Sequence, residues 1–138
     1  MSGENMTEKV SVNINTSTLS EIDLLVDNGY YSNRSDFINQ AVREALGAQR
    51  QTISRIVAQQ EDASRRNEKQ WFLGVFGITA GEVEAMHRDG ETMDVTGYGM
   101  LIVSDDVDRE KLYAVVRSIH VRGRVNAPKD IRDHYGLK

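Results

Sequence analysis

Residues 8 to 46, EKVSVNINTSTLSEIDLLVDNGYYSNRSDFINQAVREAL, constrain this chain more than any other stretch. They open on an alternating run, with Val10, Val12 and Ile14 on one side and Lys9, Ser11 and Asn13 on the other. A strand turns successive side chains to opposite faces, so the run has one apolar face and one rich in donors. Two helices follow directly, and a lone strand before helices would leave its backbone donors and acceptors unpaired. Pairing with the same strand of a second copy, antiparallel about a two-fold axis, satisfies them. The pattern therefore predicts an obligate homodimer.

The first helix is expected over about 16–28, where Leu19, Ile22, Leu25 and Val26 recur at helical spacing. Gly29 supplies the left-handed residue that ends it. Ser32 is the expected cap of a second helix reaching about Leu46, and Gly47 its expected end or a weak point past which the helix continues. The apolar positions of that helix, Phe37, Ile38, Ala41, Val42, Ala45 and Leu46, make a stripe wide enough for its own chain and a partner. Val10, Val12, Ile14, Phe37, Ile38, Ala41 and Val42 are the expected dimer core.

Strand, helix, G-Y-Y-S-N-R-S-D turn and helix together resemble the ribbon-helix-helix family of DNA-binding proteins, the MetJ/Arc superfamily. The resemblance covers roughly Glu8 to Ala48 and leaves the C-terminal part unassigned. Proteins of that family lay a two-stranded ribbon in the major groove, which is wide enough to admit one. The resemblance makes Lys9, Ser11 and Asn13 the base readers. Their chemistry suits that role, since Lys donates to guanine, Asn pairs bidentately with adenine, and Ser serves either. It also brings Ser32, Asn33, Arg34 and Ser35 to a DNA phosphate, at a helix start with open backbone donors and a positive dipole end. Residues 1–49 carry three basic and seven acidic residues. Non-specific affinity comes mainly from Lys and Arg at phosphates, so a single such module should hold random DNA weakly.

Beyond the second helix, residues 48–70 lack proline, carry few apolar residues and read as a polar helical connector. Composition shifts abruptly at Trp71 to WFLGVFGI, an expected buried strand or subunit contact. Thr79 and Glu82 form a capping-box signature for a short helix to about Arg88. A strand is expected from Met93 to Ser104, then a helix capped by Ser104 or Asp105 carrying Leu112, Val115, Val116 and Ile119 on one face. A strand from Ile119 and a helical turn after Pro128 complete the chain. Met93–Gly97 and Ile119–Gly123 share an apolar-x-Val-x-Gly pattern spaced by 26 residues, a possible two-unit βα repeat of the kind that stacks strands in parallel.

The expected fold is thus α+β: an N-terminal ribbon-helix-helix (residues 1–48, β-α-α, an intertwined dimer), a linker (49–70) and a small C-terminal α/β domain for oligomerisation or effector binding (71–138). Zero cysteines exclude disulfides and thiolate chemistry. No apolar run approaches a membrane span, and the polar start MSGENMTEK lacks the apolar core of a secretion signal, so the expected location is cytoplasmic. His87, His120 and His134 have no metal-ligand spacing, which departs from the nickel-responsive members of the resembled family. Ser104, Asp105, Asp106 and Asp108 read as helix-cap residues rather than a cation loop. No catalytic residues, metal or cofactor are expected. The partners are double-stranded DNA and a second copy, with tetramers or higher forms through residues 71–138. An antitoxin that also binds a toxin, and an assembly scaffold without DNA, are the alternatives.

Overall fold

The computed structural model describes residues 7–138. Residues 1–6, which belong to the polar start considered for a secretion signal, lie outside the described residues. The chain divides into two compact units, the first reaching Ser54 and the second running from Arg55 to Lys138. No helix among the described residues is long and apolar enough to cross a membrane.

The first unit is built on two helices, α1 (Thr16–Asp27) and α2 (Arg34–Ala48). Asn15 starts α1 by accepting the backbone N–H of Ser17 at 2.8 Å. Gly29, at φ +82°, closes it: its own N–H reaches Val26 O and the N–H of Tyr30 reaches Leu25 O, both at 3.0 Å. That pair of bonds is a Schellman motif, which satisfies carbonyls a helix end leaves open. Two sequence expectations are settled here. Asn33, not Ser32, caps α2, accepting the N–H of Asp36. Gly47 lies inside α2, which runs one residue further. Helix α3 (Arg50–Arg66) follows, and the division between the two units falls within it.

The second unit is a three-stranded, all-parallel sheet in sequence order: β1 (Lys69–Ile78), β2 (Met93–Val103) and β3 (Val116–Asn126). Parallel neighbours require a crossover, supplied here by α4 (Ala80–Asp89) and α5 (Arg109–Val115), with α6 (Lys129–Tyr135) after the last strand. The core holds the inward rows of the sheet, including Phe72, Ile78, Val95, Leu101 and Val116, closed by Val83 of α4, Leu112 of α5 and Ile131 of α6. Lys111 and Glu84 join α5 to α4 at 2.6 Å, and Arg109 joins Asp130 at 2.8 Å. The Tyr135 hydroxyl donates to Val116 O at 2.8 Å, and burial raises its pKa.

The helices after β1 and β2 start on side-chain caps, whereas α6 starts at Pro128 without one. Thr79 accepts from Glu82 N–H, as the capping-box spacing predicts. The next helix departs from expectation. Asp108, rather than Ser104 or Asp105, caps α5, and that helix ends at Val115. Val116 and Ile119 therefore lie on β3, where both are buried.

The pairing register places Gly74 beside Gly99, and Gly99 beside Gly123. All three have positive φ, at +113°, +125° and +141°. The strand spacing is accordingly 25 and then 24 residues at this column, and Gly97 pairs with Val121, not with Gly123 as the 26-residue pattern implies. The column also contains three units where the sequence pattern indicated two, because Gly74 within WFLGVFGI is its first member.

Candidate nucleic-acid interface

Residues 7–15 lie in neither helix nor strand in the single chain. A ribbon is a two-copy structure, so one chain offers no strand for this segment to pair with. Lys9, Ser11 and Asn13 are all exposed, at alternate positions just ahead of the Asn15 cap of α1. Val10 and Val12 are also exposed, at 78% and 66%, whereas Ile14 is half-buried. Further along, Ala41 and Val42 are exposed, Phe37 and Ile38 are half-buried, and α2 has no buried residue at all. The apolar stripe of α2 is thus at most half-buried in the single chain.

The start of α2 is tightly organised. The Asp36 carboxylate accepts the N–H of Ser32 at 3.0 Å and the side-chain amide of Gln40 at 3.0 Å, while its own N–H is taken by Asn33. This resembles a capping box with the return bond moved by one residue, because Asp36 accepts the N–H of Ser32 and not that of the Asn33 cap. The Ser32 N–H and then Gln40 hold the Asp36 carboxyl below its ordinary pKa. Tyr31 packs edge-on against Phe37, with ring centroids 4.9 Å apart, and fixes the entry of the chain into the helix.

Arg34 is held in a bidentate pair with Asp23 of α1, both bonds at 2.8 Å. That pairing lowers the pKa of Asp23 and raises that of Arg34. Sequence reasoning missed this partner, because no local spacing links a residue of α1 to one eleven positions later. The pair locks α1 to the start of α2 and takes two of the guanidinium's donor positions. The backbone N–H groups of Arg34 and Ser35 belong to the first turn, which has no intrahelical acceptor for them. Ser32 and Ser35 are exposed, with the Ser32 side chain also bonded to the Asp36 carboxylate.

An acid titration tests this cap. A carboxyl whose folded pKa is depressed contributes stability above its ordinary pKa, and the contribution is lost as pH falls through the depressed folded value. Asp36→Asn should therefore melt below wild type at pH 7, by circular dichroism. The gap should narrow below about pH 4, the ordinary carboxylate value. A gap independent of pH would show that Asp36 acts through shape alone.

Among the described residues no group of His, Asp and Glu could hold a metal ion. His120 is exposed on β3, and His134 stacks on Tyr113 with centroids 3.6 Å apart. Residues 5–132 match the model of the ribbon-helix-helix transcriptional regulator family. The chain belongs to that family. The match extends well past α2 and takes in the parallel sheet, which the N-terminal resemblance did not cover. Comparison with curated proteins and with solved structures gives no match. Proteins of the ribbon-helix-helix family are regulators of transcription that bind DNA, typically as dimers, and they are typically not enzymes.

Proposed function

We propose that this ribbon-helix-helix protein is a sequence-specific repressor acting as a homodimer. Residues 9–14 of two copies pair antiparallel into a ribbon that enters the major groove. Lys9, Ser11 and Asn13 read base edges, and the starts of the two α2 helices grip flanking phosphates. At those helix starts the Asn33 side chain is occupied as a cap and Arg34 by Asp23. The phosphate then meets the N–H groups of Arg34 and Ser35, with the hydroxyls of Ser32 and Ser35 beside them.

One observation carries the reading: Val10 and Val12 stand exposed ahead of a helix pair whose second member has no fully buried residue. Half a core is on display, and the other half is the same surface of a second copy. Val10, Val12, Ile14, Phe37, Ile38, Ala41 and Val42 fill it. Residues 1–48 form the DNA-binding and dimerisation domain, 49–70 the polar connector, and 71–138 the module that joins dimers on adjacent half-sites. Joining raises the effective concentration of each dimer at its site. That offsets the weak electrostatics of an acidic module. The folded sheet of the second unit weighs against the antitoxin alternative, whose toxin-binding tails are disordered when free.

The test is selection of bound sequences from random duplex DNA by the full chain, with mass determined by light scattering. Enrichment of a pseudo-palindrome, with a mass of two or more chains, is the expected result. Failure to enrich any motif would overturn the reading.

A further inference from the structure

Helices α4, α5 and α6 pack into the core on one face of the parallel sheet, and much of the other face is exposed. Sheets made wholly of parallel strands nearly always have both faces covered. That other face is moreover apolar over two strands. On β1 it presents Leu73 and Val75, 55% and 63% exposed, beside the half-buried Trp71. On β2, Tyr98 pairs with Leu73 and is exposed, Met100 pairs with Val75 and is only 8% exposed, and Ile102 pairs with Gly77 and is exposed; the Trp71 and Tyr98 rings lie 6.3 Å apart. The third strand changes character: His120, Arg122 and Arg124 occupy the same rows and are all exposed.

We propose that this face packs against the same face of a second copy, about a two-fold axis running along the strands over β2. This deepens the assembly role given above to residues 71–138 and rests on it. Two kinds of two-fold stacking are open to such a face, and charge chooses between them. An axis across the strands would lay β3 on β3 and set Arg122 and Arg124 against their own copies, which is repulsive. An axis along the strands lays β3 of each copy over β1 of the other. The stems of Arg122 and Arg124 then cover Leu73 and Val75, and the Arg122 guanidinium, one row away, comes over Trp71, the best ring for a cation. Tyr98 meets Tyr98 at the centre.

The area is sufficient. Strands of ten and eleven residues, at about 3.3 Å per residue and about 4.8 Å between strands, give a face of about 500 Å². Two such faces bury about 1,000 Å², the lower bound of specific interfaces. Chains already joined through their first units need no more than that.

The chain has no cysteine, so single introduced thiols report directly. Three full-length variants, Tyr98→Cys, Leu73→Cys and Glu110→Cys, are treated with a short bismaleimide and resolved on a denaturing gel. Face-to-face sheets lie about 10 Å apart. Tyr98→Cys should therefore give mostly covalent dimer. Leu73→Cys, carried to the opposite edge of the stack from its own copy, and Glu110→Cys, on helix α5, should give at least fivefold less. Val75→Glu added to Tyr98→Cys should abolish the product while the circular dichroism spectrum stays that of wild type. Cross-linking through Leu73→Cys as strong as through Tyr98→Cys would overturn the axis. Absence of the Tyr98→Cys product in a protein that light scattering shows to be multimeric would overturn the face and leave the assembly role standing. A single-chain mass would remove both.

Discussion

Gly99→Ala is expected to unfold the second unit. A Cβ at this position would lie 2.0 Å from Gly74 O and 2.9 Å from Gly74 C. Those atoms belong to the neighbouring strand of a parallel pair, held by the ladder on either side, so they cannot rotate away as a side chain could. The backbone adds its own cost. Gly99 has φ +125°, a conformation that charges an L-residue on the order of 1–3 kcal/mol. Relief of the overlap requires β1 and β2 to separate locally, and the combined loss should exceed about 3 kcal/mol, at the diagnostic end of point substitutions. A domain has only about 5–15 kcal/mol to lose.

The column supplies its own controls. Gly74→Ala bears a positive φ but meets nothing within 4 Å, because no strand precedes β1. Gly77→Ala has its nearest contact at 4.0 Å, from Ile102 O, and no such φ. Thermal melting followed by circular dichroism should rank the variants wild type and Gly77→Ala, then Gly74→Ala, then Gly99→Ala with Gly123→Ala. A Gly99→Ala protein that melts with wild type would mean that the glycines do not stack.

How much of this was legible in the sequence differs between the units, for physical reasons. In the first, the signals are local. Gly29 ends α1 because a left-handed residue is needed there, and its neighbours read correctly from spacing alone. The choice between adjacent polar residues misleads: Ser32 and Asn33 are both good caps, and the decision rests on which side chain reaches Asp36. In the second unit, Leu112, Val115, Val116 and Ile119 fit a helical stripe as well as they fit a helix followed by a strand. Their burial is the same in either case, since the chain changes from helix to strand between two buried valines. The run of Asp105, Asp106 and Asp108 offers several caps, and only the length of the loop selects Asp108.

The alternation of strands and helices was legible, but the register between the strands was not. Matching Gly97 to Gly123 keeps the faces of the strands correct, since an error of two residues returns each side chain to the same side. What it hides is the reason for glycine. Gly97 is small because the Phe72 ring lies over it, within 2.3 Å of where a Cβ would stand, whereas Gly99 and Gly123 lie against backbone. Two different packing demands produce the same letter in G-Y-G. The Asp23–Arg34 pair was hidden for a simpler reason, since it depends on the angle between helices and not on sequence separation.

The DNA-reading proposal makes its largest demand on Asn13. Asn13→Ala should remove preference for the operator while leaving the fold intact. The side chain is exposed and ahead of α1, so its loss opens no cavity. Its value on DNA is large because a carboxamide matches the donor and acceptor of adenine together. A good bidentate contact of this kind discriminates by about 1–3 kcal/mol, and a two-fold dimer makes it twice, so the selected sequence should lose about 2–6 kcal/mol of its advantage. That corresponds to a loss of about 30-fold to 10⁴-fold in specific affinity, at about 1.4 kcal/mol per factor of ten. Binding to random duplex should hardly change, because it depends on phosphate neutralisation, to which a neutral amide adds little. Lys9→Ala separates the two effects. It removes one charge and one guanine donor per chain, so it should weaken random duplex through the lost charge, lower the salt slope by up to about two per dimer, and weaken the selected duplex further. Competition of the selected duplex against random duplex, repeated at several salt concentrations, measures both. If Asn13→Ala keeps the preference of wild type while Lys9→Ala loses it, the charge and not the amide supplies specificity, and the base-reading face is not the one formed by Lys9, Ser11 and Asn13 together.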